Sequence, residues 1–322
     1  MSLRLLVTTA LLLLGSISSA PAQKTVLRVG HFPNITHAQA LIAHHLSREG
    51  KGWFEERLGK DVEIQWFVYN AGPSAMEAIF AGSLDLTYVG PGPVINAYAK
   101  SKGEEMRVIA GSANGGAALV VQSDGRIAKP ADFKGKKLAT PQMGNTQDVA
   151  ARVWLKKQGF KITQLGGDVF VLPTQNPDQL ALFARKDLDA VWTVEPWVTR
   201  LELESGGKIY LEQKEDFATV LASSVKLLKE KADLVKKFAA AHAELTEWIN
   251  KNPAEAKKIV TAEIEELTKM KLKPEIVDKA WTRLTFTPAI TLAPLQQFVT
   301  DAQSVGFLKD ANDLSKLVEI PK

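Results

Sequence analysis

The sequence contains no cysteine. Disulfides, thiolate metal sites, cysteine nucleophiles and lipid attachment at a cysteine are thereby excluded. It also has few histidines, five in 322 residues. Three of them, His37, His44 and His45, fall in one stretch, but 37 and 44 stand two helical turns apart and no carboxylate partner is evident beside them. No metal and no cofactor is expected. A strong charge imbalance is missing as well: the formal net charge is +4, with a sequence pI near 9.0. Most lysines of the last third sit at helical spacing, as in "VKLLKEKADLVKKFAAAHAELTEWI", where Val225, Leu228, Leu234, Phe238, Ala241, Leu245 and Trp248 form an apolar stripe. The lysines then belong to a solvated helix face, and nucleic-acid binding is not expected.

What is present begins with "MSLRLLVTTALLLLGSISSAPA". One positive charge at Arg4, an apolar run from Leu5 to Leu14 and a small-residue end at Ala20–Ala22 make a secretory signal, cut after Ala22. The apolar run is too short to span a bilayer. A soluble exported protein follows, and a bacterial periplasm is its natural compartment. With 45% hydrophobic residues the chain can build two domain-sized cores.

Along the chain, "VLRVGH" (26–31), "VEIQWFV" (62–68), "LDLTYVG" (84–90) and "MRVIAGS" (106–112) read as strands, separated by helices that open near Thr36 and Pro73. A second set follows: strands "KKLATP" (136–141), "VFVLP" (169–173) and "LDAVWTV" (188–194), with helices over 146–158 and 177–184, the latter capped by Asn176. The alternation predicts parallel sheets covered by helices. The two sets resemble each other: in "AIFAGSLDLTYVGPGPV" (78–94) and "ALFARKDLDAVWTVEPWV" (181–198), Asp85 and Tyr88 fall opposite Asp189 and Trp192. Two lobes of similar architecture are expected, joined by extended segments at 116–123 and 218–224. Residues 23–116 and 224–322 form one lobe and 117–223 the other.

Ligands of open parallel sheets sit beyond the strands' carboxyl ends, where helix N-termini favour anions. "HFPNITHAQAL" offers Asn34, Thr36 and His37 there, and "ATPQMGNTQDV" offers Gln142, Gly144, Asn145, Thr146 and Gln147. Asn145 or Thr146 can equally cap its own helix, and Asp148 adds an unhelpful negative charge. Gly72 and Ser74, Gly90 and Pro91, and Asn114 occupy comparable turns. Glu195, at the end of an apolar strand, either caps the next helix or meets a cationic ligand group, while Trp197 walls the pocket or fills the core.

Taken in order, "LRVGHFPNITHAQAL", "AGPSAMEAIFAGSLDLTYVGPGPVI", "PQMGNTQDVAARVWL" and "ALFARKDLDAVWTVEPW" resemble the periplasmic solute-binding proteins of ABC importers for aliphatic sulfonates, taurine and nitrate. The likeness covers nearly the whole mature chain. It implies an α/β type II periplasmic-binding fold: two α/β lobes, two crossover strands and a ligand cleft between them. It further implies a monomer that captures a small anionic solute by hinge closure and delivers it to an ABC permease and its ATPase. In that family the turn matching Gly144–Gln147 supplies donors to the sulfonate, and the position matching Glu195 lines the far side. Here the turn reads Met143-Gly144-Asn145-Thr146, a departure from the serine-rich version. A nitrate or bicarbonate binder and a binder of a thiamine-precursor heterocycle remain alternatives. An enzyme resembling thiamine-pyrimidine synthase is not expected, since those relatives carry a cysteine-rich motif.

Overall fold

The computed structural model describes residues 24–163, 166–309 and 313–321. The expected export signal and its cut after Ala22 lie outside them. The chain first lays down β1 (Thr25–His31), α1 (Ala38–Arg48), α2 (Trp53–Leu58), β2 (Val62–Val68), α3 (Gly72–Phe80), β3 (Leu86–Val89), α4 (Pro91–Lys100) and β4 (Met106–Gly115). It then crosses into a second unit of β5 (Ala117–Gln122), β6 (Lys137–Thr140), α5 (Thr146–Lys157), β7 (Phe170–Pro173), α6 (Asn176–Ala184), β8 (Ala190–Val194), α7 (Trp197–Ser205) and β9 (Gly207–Gln213). It returns through β10 (Phe217–Ser224) and ends in α8 (Val225–Glu230), α9 (Ala232–Lys251), α10 (Pro253–Thr268), α11 (Pro274–Trp281), β11 (Leu284–Phe286) and α12 (Leu292–Ser304).

Two sheets result, ordered β11-β4-β10-β3-β1-β2 and β7-β6-β8-β5-β9. Without β11 they are the same sheet twice. β1 pairs in parallel with β2 and β3, as β6 does with β7 and β8. The strand of opposite sense, β10 in one and β5 in the other, is the one that arrives from the other lobe. The expected two-lobed α/β fold is therefore present.

The internal resemblance has a structural basis. Asp85 accepts the Arg28 amide at 2.9 Å, and Asp189 accepts the Lys137 amide at 3.0 Å. Each aspartate staples a strand, β1 at its middle and β6 at its first residue, to the turn before the parallel strand beside it. Tyr88 and Trp192, the paired aromatics of the two stretches, are both buried in their lobes.

Three expectations need correction. All of β10 is buried, it pairs along its length with β4, and Val220–Ser223 pair with β3, so the return crossing falls at residues 214–216, ahead of the division expected between residues 223 and 224. Asn176 is the first residue of α6, with Gln175 at the cap position. The lysine-rich stretch is two helices broken at Lys231, and Val235 and Ile249 are buried where Leu234 and Trp248 were expected; the latter two pack only partly against the core. The break shifts the helical phase by part of a turn. The strands β9 and β11 and the short α2 carry weak patterns and have no counterpart in the sequence reading.

The C-terminal helices cover the first sheet on both sides. Phe238, Leu245, Val260 and Ile276 join the cluster on one face, while Leu295 and Val299 of α12 join the other. That second cluster also takes in Val149 and Val153 of α5, so apolar packing continues from one lobe into the other. Among the described residues no helix is long and apolar enough to cross a membrane.

The crossing itself is tight. Gly115 and Gly116 both have positive φ, +77° and +71°, and the Gly115 amide donates to the Asp216 carbonyl at 3.0 Å, tying the two crossing strands together. A Cβ on Gly115 would stand 2.3 Å from the Arg283 carbonyl oxygen and 2.9 Å from that of Lys214. Both are backbone atoms and cannot swing aside. Gly115→Ala is thus expected to lower unfolding stability by about 2 kcal/mol or more in urea titrations. Gly125→Ala, at a similar φ of +83° but in open space, should cost about 1 kcal/mol.

Candidate functional site

Two strand-to-helix corners face each other across the crossing. In the first, β1 gives way to Pro33 and Asn34, a 3-10 turn over Ile35–His37 and then α1. In the second, β6 gives way to Pro141 and a loop that enters α5. Asp148 organises this loop: it accepts the Thr140 hydroxyl, the Gly144 amide and Arg152 Nε, at 2.9, 2.9 and 3.1 Å. Asn145 caps the helix by accepting the Asp148 amide at 2.8 Å. The negative charge expected beside the anion site therefore points back into the loop, neutralised by an arginine that is itself buried.

Between the corners lies a small cavity of about 30 Å³ that opens to solvent. Five helices begin on its wall: α1 through Thr36 and His37, α3 through Ala71 and Gly72, α4 through Gly90, α5 through Asn145, Thr146 and Gln147, and α6 through Asn176. First-turn amides have no carbonyl partner within their own helix, and each start carries partial positive charge. The residues lining the cavity include no lysine, arginine, aspartate or glutamate. The field in the cavity thus comes from backbone dipoles and neutral side chains.

His37 contributes as a neutral ring. Its Nδ1 accepts the Phe32 amide at 3.4 Å, leaving Nε2–H as the donor. Burial holds its pKa well below the usual histidine value, with His31 adding to the effect. Asn34 Oδ1 accepts Trp197 Nε1 at 2.9 Å, which leaves the Asn34 amide NH2 for the cavity.

Eight of the residues singled out in the sequence line this cavity: Asn34, Thr36, His37, Gly72, Gly90, Asn145, Thr146 and Gln147. The other seven do not. Ser74 and Gln142 bond to each other across the lobes at 3.2 Å. Pro91 faces an adjoining compartment. Asn114 lies within β4, paired with Phe217 and Thr285. Gly144 has its amide committed to Asp148. Trp197 holds Asn34 from behind. Asn70 and Asn176 line the cavity without having been singled out as contacts; they follow β2 and β7, so the strand-end rule would have found them.

Glu195 also faces away from the cavity. It accepts the Thr199 amide and hydroxyl at 3.1 and 2.8 Å, which makes it a helix-start residue, and it pairs with Arg283 Nη1 at 2.8 Å. Arg283 precedes β11 of the first sheet and reaches into the second lobe, where it also meets Glu202 and Glu212 at 2.7 and 3.3 Å. His44 and His45 do meet a carboxylate, Glu263 of α10, which Arg48 holds as well. Among the described residues no group of three histidines or carboxylates could hold a metal ion.

The lobes touch around the cavity. Thr146 Oγ1 accepts the Gly92 amide at 3.2 Å, Asn70 Nδ2 donates to the Pro141 carbonyl at 3.4 Å, and the Ile35 amide donates to the Glu195 carbonyl at 3.1 Å. A Cβ on Gly90 would lie 2.4 Å from Thr146 Oγ1, so only glycine there permits this approach.

Burial raises the Glu195 pKa, and Arg283 opposes the rise. Arg283→Met leaves a buried carboxylate without its cation and should cost about 3 kcal/mol of stability at pH 7. A carboxyl whose pKa is raised on folding binds its proton more tightly in the folded state. The deficit should therefore be full above the raised pKa and shrink as pH falls through it, as denaturation at several pH values would record.

The NMT1-like family matches residues 20–264 of the chain. A Brucella abortus (strain 2308) protein named provisionally as a binding protein is 28% identical over 232 residues, 70% of this chain and 68% of that one. The taurine-binding periplasmic protein of Escherichia coli (strain K12) is 27% identical over 152 residues, 47% of this chain and 45% of that one. Among solved structures, the alkanesulfonate-binding protein SsuA of Xanthomonas axonopodis pv. citri, bound to MOPS, superposes with a TM-score of 0.75 at 18% identity, covering 93% of this chain and 99% of that one. The periplasmic nitrate-binding protein NrtA of Synechocystis PCC 6803 gives 0.69 at 14% identity, covering 90% and 84%. The resemblance read from the sequence motifs is borne out, the fold is that of the periplasmic binding proteins, and the chain belongs to the NMT1-like family.

Proposed function

We propose that the protein is the periplasmic solute-binding component of an ABC import system. It captures a small organic anion, an aliphatic sulfonate or a taurine-like molecule, by closing its lobes, and hands it unchanged to the permease and its ATPase. The observation that carries this reading is the convergence of five helix starts on a cavity without charged side chains. Such a site favours a small oxyanion and needs no arginine or lysine. Capture at micromolar affinity corresponds to about −8 kcal/mol. A few charge-assisted hydrogen bonds at about 1.5–3 kcal/mol each reach that figure after the ordering costs of association.

Nitrate and bicarbonate are small oxyanions too, and the helix starts that favour a sulfonate favour them on the same ground, so the titration below decides between them. The other rivals lose particular supports. A neutral or cationic heterocycle would take Glu195 and Trp197 as its main contacts; Glu195 is committed to Arg283 and Thr199, and the Trp197 indole N–H to Asn34. For an enzyme, the lining offers one titratable imidazole, His37, kept neutral and tied to the Phe32 amide. The named relatives, a taurine binder and aliphatic sulfonate binders, favour the same reading.

Calorimetric titration with taurine, ethanesulfonate, nitrate and formylaminopyrimidine tests it. A sulfonate should bind in the micromolar range; binding of the pyrimidine alone would overturn the anion reading. Thr146→Ala removes the hydroxyl that joins α5 to the start of α4 and should weaken the sulfonate by about 1 kcal/mol, about fivefold, with little change in unfolding. An equal loss of stability with unchanged affinity would reduce Thr146 to a structural residue.

A further inference from the structure

Most polar side chains on the cavity wall are held by their acceptor atoms. Asn34 Oδ1 receives the Trp197 indole N–H at 2.9 Å, and Asn145 Oδ1 receives the Asp148 amide at 2.8 Å. His37 Nδ1 receives the Phe32 amide at 3.4 Å, and Thr146 Oγ1 the Gly92 amide at 3.2 Å. An indole or backbone N–H can only donate, so these four orientations are forced. Each side chain turns its oxygen or ring nitrogen to the protein and keeps its hydrogens for a solute. Asn176 Oδ1 and Gln147 Oε1 are engaged in the same sense, by the Thr193 hydroxyl at 2.8 Å and the Asn145 NH2 at 3.1 Å. Asn70 differs, since it gives its NH2 to the Pro141 carbonyl at 3.4 Å. Among the described residues neither its oxygen nor the Thr36 hydroxyl has a partner.

Two of the four forced bonds cross between the lobes. Trp197 belongs to the second lobe and Asn34 to the first, while Gly92 belongs to the first and Thr146 to the second. Trp197 is buried, with the Arg200 guanidinium 5.1 Å from its ring centre, and it does not line the cavity itself. Under the proposed closure, the Asn34 and Thr146 oxygens are taken up only when the lobes meet.

We infer that Trp197 is a positioning residue that sets the specificity of the cleft: reaching across from the second lobe, it turns the Asn34 carboxamide so that the NH2 faces the solute, and the cleft thereby selects oxyanions without a hydroxyl over those that carry one. This rests on the anion reading above and divides the solutes that reading leaves open. A sulfonate or nitrate presents acceptors in every direction. Bicarbonate or a phosphonate monoanion bears the same charge but must also place an O–H, and most of the wall meets it with hydrogens. The mismatch removes a hydrogen bond and opposes two donors, a distinction that charge alone does not make.

Calorimetry with ethanesulfonate and ethylphosphonate isolates the hydroxyl, because at about pH 5 both are monoanions of nearly the same shape. The wild-type protein should prefer the sulfonate by at least about fivefold. Trp197→Phe keeps a ring but removes the indole N–H, which frees the Asn34 amide to turn, and the preference should fall at least about threefold. Lost packing alone would weaken both ligands equally and leave the ratio unchanged. Asn34→Ala should lower the ratio by itself, and it decides the matter if the Phe variant does not fold. In the Asn34→Ala background, Trp197→Phe should change the ratio no further, since Trp197 acts through Asn34. Equal affinities in the wild-type protein, or an unchanged ratio in either folded single variant, would overturn the inference and leave the anion reading intact. Failure of ethanesulfonate, ethylphosphonate and nitrate alike to bind the wild-type protein would overturn both.

Discussion

Parallel pairing is the constraint from which the rest of the structure follows. β1, β2 and β3 run in one direction, as do β6, β7 and β8, so in each sheet three carboxyl ends share one edge. Each strand must leave that edge through a turn that opens a helix, and helix starts accumulate there without any side chain being recruited for charge. Because the two sheets share one topology and are joined by a short double crossing, the two edges meet. The cavity is what two such edges enclose.

Charge near the cavity is arranged by removal. Asp148 and Glu195 both stand at helix starts beside the cleft, and both turn away to an arginine, Arg152 within the same helix and Arg283 from the other lobe. Buried ion pairs of this kind add little net stability, because desolvation offsets their attraction. Their effect is geometric. They keep carboxylates out of the space where the helix dipoles converge, and Arg283 also fastens the segment before β11 onto the second lobe.

Contacts between the facing corners are few and mostly between neutral groups: a threonine oxygen on an amide, a serine with a glutamine, an indole on an asparagine. Each contributes about 1 kcal/mol net, so under the proposed hinge closure they would leave the balance between open and closed forms within reach of a bound solute. A ligand that bridges both lobes needs only a differential affinity of a few kcal/mol to set that balance. The apolar wall at α12 lies beside these contacts, and α12 packs on both α4 and α5.

Much of this was written in the local pattern. The apolar strands, the proline-bounded corners and the repeated Asp85/Asp189 stretches followed from periodicity and turn chemistry, and Thr36, Asn145 and Thr146 were found because they stand at helix starts. Local pattern could not say where a side chain turns once its helix has begun. Asp148 and Glu195 are each followed four residues later by a partner, Arg152 or Thr199, but the Arg283 contact spans 88 positions. Likewise, β10 reads as a linker in sequence because its two bonding partners, β3 and β4, lie more than 100 residues earlier. The sequence by itself determined the parallel strands and the helix starts that follow them, since those depend on neighbours within a turn or two. Tertiary structure alone decided which helix starts face one another, which carboxylates are silenced and where the cleft continues, because those depend on groups that meet only after the chain has crossed twice between the lobes.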